Sequence, residues 1–504
     1  MTHQAANLPP QPGNARWLGH PAGAGVLVGL KTWELFSYQG MRAFLVFYLI
    51  GSFALSDSEA ALIFGSYSAL VLALSVLGGV VADRWLGPRE PMTIGALMIM
   101  SGHICLAGEN VLVELRLLDP AMAFQVFCLG LGLIAVGTGL LKPNVLNLLG
   151  ALYRRDDPQR ERGYYFYYIG VNIGSFAAPL VCGYLAQRYG WGWGFAAAAI
   201  GMAAGLVVLF LGRRYLNPVE PQGTGATRGS RLLIYLGVLA AVGASSFLIQ
   251  NGVALGVLLI ASLVASAAYF AVQSSRESKS PLLASLLMLM AVPMSYSMLF
   301  EQFSLSINLF VDRHVSDELY GIAVSAPQLL SLNAFFVLMF LPLLSAVWAY
   351  LGRRGLEPKS SVKFAIGFGF IGSGFLVLVG STILTPPGAQ ILMGFVAMAY
   401  FLITMGEICI APLAFASVGQ LIPQRLQGVA MGMLLLAFAL GNLGASWLAT
   451  AAAIPAGMIQ AESRAIYADF FLKPAFIALF AIPLCLLAGR WLNYPDPAAK
   501  EPAA

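Results

Sequence analysis

Long apolar runs alternate with short polar segments along the chain. The runs fall near residues 22–50, 60–81, 92–117, 121–149, 163–187, 193–212, 231–249 and 252–273. Six more fall near 282–310, 320–350, 362–384, 389–420, 428–453 and 470–492. A helix needs about 20 apolar residues to cross the hydrocarbon of a bilayer, and an open segment has no other way to satisfy its backbone in lipid. The pattern therefore predicts fourteen transmembrane helices and an all-α, polytopic membrane protein. The polar segment GTGATRGS (223–230) follows the sixth run, and SSRESKS (274–280) precedes the ninth. Setting aside the two runs between these breaks leaves six and six. The chain divides accordingly into a tail (1–21), a six-helix bundle (22–215), a linker with two extra helices (216–280), a second bundle (281–493) and a tail (494–504).

Composition supports this and removes other classes. Hydrophobic residues make up 59% and charged residues 10%, against about 25% charged in soluble domains. A water-soluble enzyme is excluded, because so apolar a surface would aggregate. With both termini inside, the inner segments carry 20 of the 28 lysines and arginines and the outer segments five, Arg313 among them. That bias predicts that both termini lie in the cytoplasm, and a bacterial-type inner membrane is the expected location. It also accounts for the net charge of +5 through the anionic inner leaflet, with no nucleic acid partner. The five cysteines and four histidines are scattered without ligand spacing, so neither a metal nor a cofactor is expected. No GxxxxGK[ST] is present, which removes an ATP-driven pump.

Six ionisable residues lie inside the runs: Lys31, Glu34, Arg42, Lys142, Glu301 and Glu407. An ionised side chain at the bilayer centre costs roughly 2.5–3.5 kcal/mol on insertion scales, so such groups usually face a cavity or a partner. Helical steps of about 100° put Lys31, Glu34, Tyr38 and Arg42 on one stripe of the first helix, and Glu301, Ser304 and Asn308 on one stripe of the ninth. Each charge could line a binding cavity and gate it, or only hold helices together. Asn172 and Asn333 could contact a ligand or form interhelical hydrogen bonds. The cluster Tyr164, Tyr165, Phe166, Tyr167 and Tyr168 reads more readily as an interface belt than as a binding surface.

These residues sit within segments that resemble a known family. Gly79-Val-Val-Ala-Asp83-Arg84-Trp-Leu-Gly87-Pro-Arg89 resembles the GxxxDRxxGxR loop of the major facilitator superfamily, and Ala349–Arg354 echoes it in the second half. GTGLLKPNVLNLLGALY (137–153) and FYYIGVNIGSFAAPLVCGYLAQRYGWGWGF (166–195) resemble the signature region of proton-dependent oligopeptide transporters. FEQFSLSINLFVDR (300–313), SLNAFF (331–336), GRRGLEP (352–358) and GEICIAP (406–412) continue the resemblance in order. It implies a major facilitator fold of six plus six helices with two extra ones, and alternating access around a mid-membrane site. The implied cargo is a di- or tripeptide or a peptide-like amphoteric molecule, carried by a monomer with no enzymatic activity. The resemblance makes Tyr38, Arg42, Lys142, Asn172, Glu301, Asn333 and Glu407 candidates for substrate contact. It gives Lys31, Glu34, Arg42, Lys142, Glu301 and Glu407 coupling or gating roles.

The first helix departs from the family pattern ExxERFxYYGxR. Glu34 and Arg42 match, but Lys31, Leu35 and Gln39 stand where glutamate, arginine and tyrosine are usual. Lys31 lies within i,i+3 reach of Glu34. The expectation is a fixed internal counter-ion, with proton coupling through this helix weak or absent. The alternative is that Lys31 snorkels to the membrane surface and leaves Glu34 to titrate. Two other functions stay open: carriage of a non-peptide substrate or export of a modified natural product, and a non-transporting sensor.

Overall fold

A computed structural model describes residues 16–154, 157, 159–216, 228–275, 281–319, 322–455, 458 and 460–492. Most of the expected N-terminal tail, the C-terminal tail and the linker segments 217–227 and 276–280 lie outside these residues. The chain begins with a two-stranded hairpin, β1 (Arg16–Trp17) and β2 (His20–Pro21). The helices follow as α1 (Ala22–Phe53), α2 (Asp57–Val81), α3 (Arg89–Glu114), α4 (Pro120–Ala151) and α5 (Gln159–Ala178). Next are α6 (Tyr184–Tyr189), α7 (Trp191–Gly212), α8 (Arg228–Gln250), α9 (Gly252–Ser275), α10 (Pro281–Phe300) and α11 (Ser306–His314). A second two-residue hairpin, β3 (Glu318–Leu319) and β4 (Ile322–Ala323), precedes α12 (Ala326–Leu329), α13 (Ser331–Arg353), α14 (Ser360–Leu384) and α15 (Met393–Leu421). The last helices are α16 (Gln427–Ala449), α17 (Gln460–Leu487) and α18 (Gly489–Leu492).

Among the described residues, thirteen helical segments are long and apolar enough to cross a membrane. The fourteenth expected span, α1, is 32 residues long, and Lys31, Glu34, Gln39 and Arg42 dilute its apolar character. The α2 helix ends in a π turn over Ala82–Leu86, within the DR loop motif. Gly87 closes that turn at φ +70°, a left-handed backbone that side-chain-bearing residues avoid, and its N–H donates to the Ala82 carbonyl. Arg89 then donates to the carbonyl of Leu216, tying the loop to the end of α7.

The structure interrupts the ninth span. Residues 301–303 form a 3-10 turn between α10 and α11, and Leu305 leaves helical geometry at φ −110°, ψ −108°. The Gln302 side chain ties the break to the preceding turn, to α16 and to the start of α11. Gln302 Nε2 donates to the carbonyls of Met298 at 3.2 Å and Ala445 at 3.0 Å, and Ser306 Oγ donates to Gln302 Oε1 at 2.6 Å. Glu301, Ser304 and Asn308 therefore do not share a stripe on one continuous helix, because the 100° step holds only while the helix is unbroken.

The chain forms two compact units, residues 1–44 with 74–247, and residues 45–73 with 248–504. In the first, α8 joins α4 through Val136, Leu140 and Val242. In the second, α9 lies against Leu443 and Trp447 of α16 at Gly256, and Asn442 donates to the carbonyl of Ser68 on α2 at 3.4 Å. The two extra helices thus divide between the units.

Candidate functional site

In the first unit the charged groups sit on α1 and α4. Close packing of α1 on α5 fixes α1 in place. A Cβ on Gly174 would fall inside contact distance of the Thr32 carbonyl, so only glycine permits this approach. On α4, Pro143 lacks the N–H that the Gly139 carbonyl would otherwise accept, and Asn144 Nδ2 donates back to the Leu140 carbonyl at 2.7 Å. Lys142 immediately precedes this proline.

Lys31 and Glu34 form a buried ion pair through Nζ and Oε2, exposing 4% and 2% of their side chains. Lys31 does not snorkel; it points to its neighbour one turn away. The Arg42 guanidinium lies 5.3 Å from the centroid of the Tyr38 ring, a cation–π distance, and Nη1 reaches Gln39 Oε1 at 3.5 Å. Gln39, standing where the family has tyrosine, thus supplies an acceptor for that arginine. Lys142 lies within electrostatic range of Lys31, Glu34 and Arg42, and Tyr167 within range of Glu34. Tyr167 is buried beside the charge cluster, whereas the sequence reads it as part of an interface belt. Among the described residues Asn172 makes no interhelical hydrogen bond: Nδ2 donates to the carbonyl of Tyr168 on its own helix at 2.9 Å.

In the second unit, Glu407 on α15 accepts from Asn333 Nδ2 on α13 at 2.6 Å, and the same amide reaches Thr404 Oγ1 at 3.1 Å. Asn333 thus makes the interhelical bond expected of one of its two readings, and Thr404 joins the group unannounced by the sequence. Glu301 is buried within the broken span. Among the described residues, neither Lys142 nor Glu407 forms an ion pair, whereas Lys31 and Glu34 neutralise each other. Each unit therefore holds an ionisable side chain, within a spanning helix, that has no ion-pair partner among the described residues.

A further polar cluster in this unit was hidden from sequence reading. Arg313 at the end of α11 donates from Nη1 to Asp57 Oδ2 at 2.6 Å and from Nη2 to Asp57 Oδ1 at 2.7 Å. The guanidinium also donates to the Tyr467 hydroxyl at 3.1 Å, and the N–H of Ile454 donates to Asp57 Oδ2 at 3.1 Å. Arg313 reads in the sequence as a loop cation. Among the described residues, no group of three His, Cys, Asp or Glu side chains converges as a metal site would require.

Comparison with known proteins adds context to this geometry. The POT family model matches residues 90–464. Dipeptide and tripeptide permease A of Erwinia pyrifoliae is 30% identical over 496 residues, covering 97% of each chain. Peptide transporter YePEPT of Yersinia enterocolitica is 28% identical, covering 95% of this chain and 94% of its own. The crystal structure of a peptide transporter POT in complex with sulfate superimposes with a TM-score of 0.79 at 28% identity, over 95% of this chain and 97% of that one. A POT family transporter in complex with 5-aminolevulinic acid gives a TM-score of 0.80 at 25% identity, over 96% and 98%.

Proposed function

The chain belongs to the POT family, a family of multi-pass membrane transporters and not of enzymes, and from that premise we propose that it carries di- and tripeptides or peptide-like amphoteric compounds. Transport runs by alternating access, the helices of 22–215 rocking against those of 281–493, in a monomer with both termini in the cytoplasm. The observation that carries this reading is that neither Lys142 in one unit nor Glu407 in the other has an ion-pair partner among the described residues. A zwitterion supplies the missing partner of each. Arg42, positioned by Tyr38 and Gln39, joins Lys142 in holding the substrate carboxylate. Glu407, oriented by Asn333, takes the amine. Asn172 and Glu301 complete the contacts, and Glu301 with Arg42 serves the gate. The relatives named for peptides support the cargo class.

The same reading weakens proton coupling. Lys31 and Glu34 form a fixed, buried internal ion pair, which takes this carboxylate out of the coupling path. Remaining coupling would run through Glu301 or Glu407.

The test is counterflow of a labelled dipeptide in proteoliposomes. Accumulation against unlabelled dipeptide inside is the expected result. The altered first helix, with Lys31, Leu35 and Gln39, favours a second reading in which the cargo is a non-peptide substrate or an exported modified natural product. Counterflow supported by such a compound and not by any dipeptide would select it, and the absence of all counterflow would leave the sensor.

A further inference from the structure

The transport reading leaves unused a groove in the second unit between α13, α14 and α15. It has a volume of about 230 Å³, and Leu341, Leu344, Ile408 and Leu413 give it apolar walls. Its lining becomes polar toward one end, where Trp348 and Lys363 stand. Lys363 Nζ lies 5.3 Å from the Trp348 ring centroid and 2.5 Å from Glu357 Oε1. Lys363 is three residues into α14, about 5 Å from its start, and Trp348 is five residues from the end of α13. Both therefore sit at the depth where a tryptophan and a lysine meet lipid headgroups.

The turn above them is basic. Arg353, Arg354 and Lys359 are exposed, Arg354 stacks over Tyr350 at 4.5 Å, and Glu357 is the one acidic residue between α13 and α14. That carboxylate is already engaged by Lys363. Three cations thus remain in the turn that joins α13 to α14 beyond the Trp348 end of the groove, and the lysine and arginine bias puts this end of α13 at the anionic cytoplasmic leaflet. From Trp348 to Leu341 the groove follows α13 for about 10 Å, the length of an upper acyl chain segment.

We infer that this groove is a binding site for an anionic phospholipid of the inner leaflet. Its phosphate lies among Arg353, Arg354 and Lys359, its neck passes Trp348 and Lys363, and one acyl chain fills the space between α13 and α15. Basic sites between transmembrane helices on the cytoplasmic side select anionic headgroups in this way. The two arginines of the GRRGLEP segment (352–358) have no assigned place in the transport site.

Thermal unfolding of the full chain in neutral detergent tests the assignment, with added phosphatidylglycerol, phosphatidylcholine or inorganic phosphate. Phosphatidylglycerol is expected to raise Tm beyond the rise given by phosphatidylcholine. That increment should vanish in Arg353→Gln/Arg354→Gln/Lys359→Gln, whose replaced side chains are exposed, and in Ser345→Phe, which fills the groove because Ser345 of α13 lines it. Should Ser345→Phe fail to fold, the surface variant decides. Equal rises with both lipids, an increment that survives charge removal, or one reproduced by inorganic phosphate would each overturn the assignment.

Discussion

The ammonium of Lys31 rests on Oε2 of Glu34 one turn along α1, and both side chains are buried. Removing one partner of a buried pair leaves the other charge uncompensated and typically costs about 3–5 kcal/mol. Lys31→Met is expected to destabilise the chain by that order, and Lys31→Met/Glu34→Met to recover most of the loss. Equilibrium unfolding in detergent checks both, and equal stability of Lys31→Met and the native chain would count against the pair.

Glu407, held by Asn333, is assigned to the substrate amine. A hydrogen bond to a charged group contributes about 1.5–3 kcal/mol, so Glu407→Gln is expected to weaken affinity roughly 10- to 150-fold. The loss should be confined to ligands with a free amine. Competition against a labelled dipeptide by matched compounds with and without that amine measures it, and an equal loss for both removes Glu407 from the role. Asn333→Ala should weaken the same ligands less, since it orients the carboxylate without carrying charge.

Gly174 lets α5 approach α1 closely enough that a Cβ would meet the Thr32 carbonyl. Overpacking of this kind costs about 1–3 kcal/mol. Gly174→Ala is expected to lower Tm and to reduce substrate affinity through displacement of α1. A variant with unchanged Tm and unchanged affinity would show that the helices separate at no cost.

Arg313 and Asp57 join the ends of α11 and α2 in two charged hydrogen bonds. A double-mutant cycle with Asp57→Asn and Arg313→Gln is expected to give a coupling of about 1.5–3 kcal/mol. A coupling indistinguishable from zero would reduce the contact to a surface pair of little energetic weight.

Much of the fold was legible because the bilayer imposes one rule on every span. An apolar run of about 20 residues must be a helix, whatever its sequence. Where polar groups enter, that rule loses force. Glu301, Ser304 and Asn308 share a stripe only if the helix continues, but the helix breaks there, with Gln302 bonded to the Ala445 carbonyl and Ser306 to Gln302. The Lys31–Glu34 pair could be anticipated because spacing along one helix fixes distance. Tyr167 beside Glu34, Thr404 beside Asn333, and Asp57 on Arg313 depend on how different helices pack, which spacing does not encode. Asn172 shows the reverse: its position inside a span suggested a reach outward, yet its amide turns back on its own helix.

Proton flux tests most directly whether the first helix has lost its coupling carboxylate. Substrate-dependent acidification is measured in liposomes containing the native chain, Glu34→Gln, or Lys31→Glu/Leu35→Arg, which restores the family pattern at those two positions. The expected result is dipeptide counterflow with little proton uptake through Glu34 in the native chain, and greater uptake in the restored variant. Robust proton uptake by the native chain that disappears in Glu34→Gln would contradict it.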